Sequence, residues 1–167
     1  MPISTMHTTL NYSPKFEVKK TRVKDVKFLI FHYTGMKKEN QAITRLTDSK
    51  SKVSSHYLIK NNGEILTLVP DLYIAWHAGV SSWKNYKSIN KYSIGIEISN
   101  PGHEYFYKKF SKKQIKSILK LSTYLRKKYK IKSNFILGHS DIAPDRKKDP
   151  GEKFPWKYLS KNKIGHW

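Results

Sequence analysis

His32, His56 and His139 each stand at or beside an apolar run that reads as a β-strand, and Asp149 follows His139 by ten positions. In sheet proteins, functional side chains gather at strand ends and in the loops beyond them. The chain of 167 residues has no cysteine, so no thiolate can serve as metal ligand or nucleophile, and any transition metal must be held by histidine and carboxylate. Two histidines at strand ends together with an aspartate fit a zinc site with water in its open position, where the metal lowers the water's pKa and polarises a carbonyl. The spacing is long-range, unlike a local H-E-x-x-H motif. Bland readings stand beside it: a lone histidine is commonly a surface or core residue, and Asp149-Pro150-Gly151 is a turn former in its own right.

Glu97 is a carboxylate inside the apolar strand "SIGIEIS". Period-two geometry puts Ile94, Ile96 and Ile98 on one face and Ser93, Gly95, Glu97 and Ser99 on the other. The second face is either a half-exposed strand surface with a solvated glutamate, or a carboxylate over a cleft whose small neighbours make room.

The elements that must position these groups are legible in outline. "VKFLIFHYT" (26–34) is rich in β-formers and reads as a buried strand ending near His32. Ala42, Ile43 and Leu46 give a helical face within 39–50. "SSHYLIK" (54–60) and "EILTLVP" (64–70), joined by Asn61-Asn62-Gly63, predict a hairpin. "AWHAGVSSW" (75–83) reads as a loop, and 92–100 as a strand. Ser111 and Gln114 form a capping box, after which Ile115, Ile118, Leu119, Ser122, Leu125 and Tyr129 share one helical face. "NFILGH" (134–139) is the last strand expected. Strand, helix, hairpin, strand, helix, strand predicts one α/β domain, a central mixed β-sheet flanked by helices, over residues 26–167. Residues 1–25 read as a polar, irregular N-terminal arm.

The length suits one domain that buries roughly two-thirds of the unfolded chain's surface. No window approaches a membrane span, and the N-terminus has no basic start followed by an apolar run. The formal charge is +21, which attracts polyanions. Only Arg22, Arg45, Arg126 and Arg146 are arginines, whereas phosphate and base readout favours arginine forks, and no reader motif for nucleic acid is present. The charge therefore fits either a compositional bias or attraction to an anionic wall.

"FHYTGM", "VSSHYLI", "AWHAG", "SIGIEI" and "GHSDIAPDRKKDPG…FPW" resemble, in order and spacing, the zinc-dependent N-acetylmuramoyl-L-alanine amidases of type 2, the AmpD-like group. The similarity runs over about residues 12 to 167, and phage amidases and animal peptidoglycan-recognition proteins look like more distant relatives. The resemblance implies zinc (Zn2+) held by His32, His139 and Asp149. It implies Glu97 as general base and Lys147 as the cation facing the oxyanion. Trp76 and His77 would line the substrate groove, and His56 would be structural or orient a ligand. Asp141 and Asp145 are expected as turn and salt-bridge residues. Ser55 departs from the phage and recognition-protein branches, which have tyrosine there, and this favours Glu97 as the base.

The implied reaction is hydrolysis of the amide between N-acetylmuramic (or anhydro-muramic) acid and L-alanine, in wall turnover or muropeptide recycling. The alternative is a non-catalytic peptidoglycan-recognition module. The expected partner is peptidoglycan or a muropeptide, taken by a monomer with no specific nucleic acid. With no visible export signal the bacterial cytoplasm is the expected compartment, and the periplasm or envelope the alternative.

Overall fold

The structure, a computed structural model, describes residues 8–17 and 22–167; the rest of the expected N-terminal arm lies outside the described residues. The strands are β1 (Thr9–Leu10), β2 (Phe16–Glu17), β3 (Phe28–Tyr33), β4 (Tyr57–Ile59), β5 (Ile65–Thr67), β6 (Ile74–Ala75), β7 (Ser82–Trp83), β8 (Tyr86–Lys87), β9 (Ser93–Ile98) and β10 (Ile136–Gly138). The helices are α1 (Glu39–Thr47), α2 (Lys112–Tyr129), α3 (His139–Ile142) and α4 (Trp156–Lys161).

Six strands form one mixed sheet in the order β1-β5-β4-β9-β3-β10. β4, β9, β3 and β10 run parallel, while β4 and β5 pair antiparallel as the expected hairpin. The α/β reading of the sequence is thus the observed fold. The four parallel strands end at one edge of the sheet, where functional groups of such folds collect.

The two faces differ in chemistry. Leu29 and Phe31 of β3 and Ile94, Ile96 and Ile98 of β9 pack with Ile118, Leu121 and Leu125 of α2 and Leu159 of α4 in one apolar layer. On the opposite face Phe28 and Ile30 meet Ile89, Leu137 and Ile142, and Leu58 and Leu66 meet Leu46 of α1. Each such aliphatic side chain contributes roughly 1.5–3 kcal/mol on burial. Only the second face turns polar towards the strand ends, where His32 and Glu97 replace apolar residues.

α2 begins where its capping box predicts. Ser111 Oγ accepts from the Gln114 amide at 3.1 Å, and Gln114 Oε1 accepts from the Ser111 amide at 3.0 Å. Gln114 Nε2 also donates to the Ser99 carbonyl at 2.7 Å, which ties the helix start to the end of β9. The buried seam runs through Gln114, Ile118, Leu121, Ser122, Leu125 and Tyr129, with Ile115 and Leu119 at its margin. Two segments differ from expectation. The last strand stops at Gly138, and His139 opens α3 instead, because Asp141 Oδ2 accepts from the Gly138 amide at 2.7 Å and caps the turn. Within the stretch read as an irregular arm, β1 lies parallel to β5 and β2 antiparallel to β6. No helix among the described residues is long and apolar enough to cross a membrane.

Asp71 fastens α2 to the sheet. Its carboxylate accepts from Tyr57 of β4, from Tyr129 at 2.6 Å and from Lys128 at 2.8 Å. Burial alone would raise its pKa, but these donors outweigh burial and hold it below its ordinary 3.8. A depressed folded-state pKa means the stabilisation is complete above the unfolded value and fades as pH falls through the folded one. Asp71→Asn should cost about 2 kcal/mol near neutral pH, and its penalty should shrink in acid below about pH 4. Urea denaturation of the two proteins across that range measures both.

Candidate metal centre and its surroundings

Strand register brings the candidate groups together. His32 and Glu97 are direct partners in the β3–β9 ladder, and Gly138 pairs with Phe31, so His139 emerges level with His32. Asp149 returns to the same spot through the turn after α3, where the Ser140 amide donates to the Asp149 carbonyl at 2.9 Å. Gly138 permits that return: a Cβ there would stand 2.6 Å from Pro150 Cδ.

His32 Nδ1, His139 Nδ1 and Asp149 Oδ2 form a buried triangle with sides of 2.9, 3.0 and 3.0 Å. The far nitrogen of His139, Nε2, lies 3.1 Å from the Ala78 carbonyl, which can only accept. The proton of neutral His139 is therefore on Nε2, and its Nδ1 lone pair points into the triangle. Burial, opposed by the hydrogen bond to Asp149, lowers the His32 pKa to about 4, so this imidazole is neutral at physiological pH. Burial would raise the Asp149 pKa, but the two imidazoles, which donate to its carboxylate and attract it whenever they are protonated, bring it below the ordinary carboxylate range. Two imidazoles and one carboxylate, three donor atoms in mutual contact, are the donor set of a divalent-metal site. The cluster is thus capable of holding a metal ion.

Glu97 stands beside this triangle. Its Oε2 is buried with no hydrogen-bond partner. Burial, and next the charge of Asp149, raise its pKa well above the ordinary value, with Lys147 and Arg45 acting in opposition. A carboxyl group whose pKa is raised by burial holds a proton more readily than a free glutamate, which suits it to take one up and hand it on. The triangle, Glu97 and the half-buried Lys147 line a cavity of about 530 Å3.

The remaining sequence candidates divide. His77 reaches the floor of the cavity, buried, with Nδ1 3.0 Å from His32 Nε2. Its ring packs against Gly95, where any Cβ would collide with it. Gly95, the small residue before Glu97 on that face of β9, therefore makes room for His77. Trp76 is half-buried and does not line the cavity. His56 touches none of the three donor atoms. It accepts from the Gly95 amide at 3.0 Å and donates through Nε2 to the Tyr73 carbonyl at 2.9 Å, a brace between β9 and the 70–75 turn.

Sequence reasoning missed several neighbours. Arg146 donates to the Ala78 and Val80 carbonyls, both at 2.6 Å, and so fixes the loop whose carbonyl orients His139. Asn90 Oδ1 accepts from the His77 and Ala78 amides at 3.2 and 2.8 Å. Arg45 lines the cavity from α1, as do Tyr33 and His103, which are 2.9 Å apart, and His103 also lies 2.8 Å from Glu152. Apart from Tyr33, which lies within FHYTGM, none carries a sequence signal beyond being polar. Only the adjacency of Arg146 to Lys147 could have drawn attention to it.

Comparison with known proteins agrees with this geometry. Residues 22–152 match the family model of the N-acetylmuramoyl-L-alanine amidases. The chain is 39% identical over 154 residues to the N-acetylmuramoyl-L-alanine amidase AmiD of Escherichia coli, an alignment that covers 85% of this chain and 55% of AmiD. It is 33% identical to the 1,6-anhydro-N-acetylmuramyl-L-alanine amidase AmpD of Haemophilus influenzae, with 89% of this chain and 88% of AmpD covered. Among solved structures it is similar to E. coli AmiD in complex with the substrate anhydro-N-acetylmuramic acid-L-Ala-D-gamma-Glu-L-Lys. The TM-score there is 0.80 at 36% identity, over 92% of this chain and 63% of that one. The chain thus spans about half the length of the AmiD relative and most of the AmpD relative. A matched family model over most of its length, on a fold that converges two histidines and an aspartate, places this chain in the N-acetylmuramoyl-L-alanine amidase family.

Proposed function

We propose that the protein is a zinc-dependent amidase that hydrolyses the bond between the lactyl carbonyl of N-acetylmuramic or anhydro-N-acetylmuramic acid and the amine of L-alanine. The observation that carries this reading is the buried triangle of His32, His139 and Asp149 with the unpartnered Glu97 oxygen beside it in one cavity. A set of two imidazoles and one carboxylate favours zinc over calcium or magnesium, which take oxygen ligands. His32 Nδ1, His139 Nδ1 and Asp149 Oδ2 would hold the ion. When bound, zinc supplies Lewis-acid polarisation of the carbonyl and makes a water acidic enough to deprotonate near neutral pH.

The chain's own groups do the rest. Glu97 takes the proton of the attacking water, as its raised pKa suits it to do, and returns that proton to the departing alanine nitrogen. Lys147, which makes no side-chain ion pair among the described residues, presents its ammonium to the oxygen that gains charge as the carbonyl is attacked. Water adds to the carbonyl carbon, the carbon–nitrogen bond breaks, and a muramic carboxylate and a free stem peptide result. The family membership and the similarity to AmiD, solved with an anhydro-muramoyl peptide, support this substrate class. Roles in wall turnover or muropeptide recycling both accommodate such a reaction.

Mass spectrometry of a muropeptide digest tests the reading. Stem peptide should be released by the zinc-loaded protein, should stop with a chelator, and should return when zinc is restored. Retained muropeptide without cleavage would instead indicate a recognition module. Asp149→Ala should lose most bound zinc, as metal analysis would show. Glu97→Gln should keep its zinc yet turn over roughly 100- to 10,000-fold more slowly. Full activity in Glu97→Gln would remove Glu97 from the mechanism.

A further inference from the structure

Behind His32 runs a buried line of polar atoms that ends on the backbone. His32 Nε2 lies 3.0 Å from His77 Nδ1, and His77 Nε2 lies 3.0 Å from Ser93 Oγ. Ser93 Oγ in turn donates to the Ile89 carbonyl at 2.8 Å. All three side chains are buried.

Proton counting fixes their direction. A serine hydroxyl has one hydrogen, and here it goes to a carbonyl that can only accept. Ser93 Oγ therefore accepts from His77 Nε2–H. Neutral His77 then has a bare Nδ1, which accepts from His32 Nε2–H. Neutral His32 in turn has a bare Nδ1, and that nitrogen belongs to the triangle with His139 and Asp149. The sense of the whole line is set at its far end, by a backbone oxygen three contacts away.

We infer that His77 and Ser93 are positioning residues that lock His32 in the tautomer able to donate its Nδ1 lone pair to a metal ion. This rests on the reading of His32 as a ligand. Metal-binding imidazoles usually hand their second N–H to a carboxylate, a carbonyl or water. His139 follows that habit on Ala78. His32 uses a second imidazole instead, which makes AWHAG a part of the metal site rather than only a wall of the groove. The arrangement accounts for three otherwise separate features. Gly95 leaves space for the His77 ring, Asn90 Oδ1 holds the His77 backbone amide, and the serine at position 93 starts β9 with its hydroxyl turned inward.

The test uses the full chain as wild type, His77→Asn, His77→Phe and Ser93→Ala. Two readouts are taken: zinc affinity by competition with a chromophoric chelator, and the His32 tautomer in metal-free protein by long-range proton–nitrogen correlation NMR. Asparagine offers an oxygen near the place of Nδ1, whereas phenylalanine fills the space and accepts nothing. Wild type and His77→Asn should show His32 protonated on Nε2 and bind zinc comparably. His77→Phe should lose that tautomer and bind zinc roughly 10- to 100-fold more weakly. Ser93→Ala, which deletes one oxygen, should give a mixture of tautomers and an intermediate affinity, and it carries the test if His77→Phe does not fold. An unchanged His32 tautomer and unchanged affinity in His77→Phe and Ser93→Ala would overturn the inference. So would an equal loss in His77→Asn and His77→Phe, which would reduce His77 to a packing residue. A wild type that binds no zinc would count against the metal reading, while the tautomer arm would still decide the relay.

Discussion

Two imidazole lone pairs and a carboxylate oxygen, about 3 Å apart and largely buried, repel one another unless a cation or a proton sits among them. Much of the polar half of the molecule can be understood as what it takes to hold those three atoms there. The β3–β9–β10 register sets two of them level, the cap of α3 turns one inward, and Gly138 lets the Asp149 turn close over the strand end. The carbonyl of Ala78 orients one ring, and that carbonyl is itself held by Arg146.

The sheet divides its labour by face. One face is apolar along its length and carries α2 and α4, so the strands cannot slip without exposing Ile94, Ile96 and Ile98. That rigidity is what the other face uses. Its strand starts are apolar and its strand ends are polar, so the donors sit on elements fixed by packing rather than on free loops. Glu97 shows the same logic in electrostatics. Its raised pKa follows first from burial and then from the neighbouring Asp149, both consequences of where the ladder puts it.

The parts of the fold that depend on local pattern were readable from the sequence. Period-two alternation located β9 and the outlying Glu97, the Asn-Gly turn located the β4–β5 hairpin, and Ser111 with Gln114 located the start of α2. The donor set was approachable because histidines at strand ends in a cysteine-free chain leave few metal ligands to choose from. What was not readable depends on contacts between distant segments. That His77 is near the groove could be expected, but that Gly95 and Ser93 form its seat could not. Likewise β1 and β2 carry no alternation to announce their pairing, because strands of two residues are held by backbone hydrogen bonds and not by a buried face. The short helix at His139 was hidden because its cap is one carboxylate on one amide, in a stretch whose glycine and aspartate read equally well as a turn.

The sequence separation of the three donors has a topological meaning. His32 and His139 are 107 residues apart in the chain, and His32 and Asp149 are 117 apart. An ion gripped by all three would tie together segments more than a hundred residues apart in a chain that has no disulfide to do so. The assembled grip exists only in the folded chain, so binding affinity there is also folding free energy. Metal supply would then govern how long the protein lasts as well as how fast it works, since a molecule deprived of its ion would open more often to proteases and aggregation.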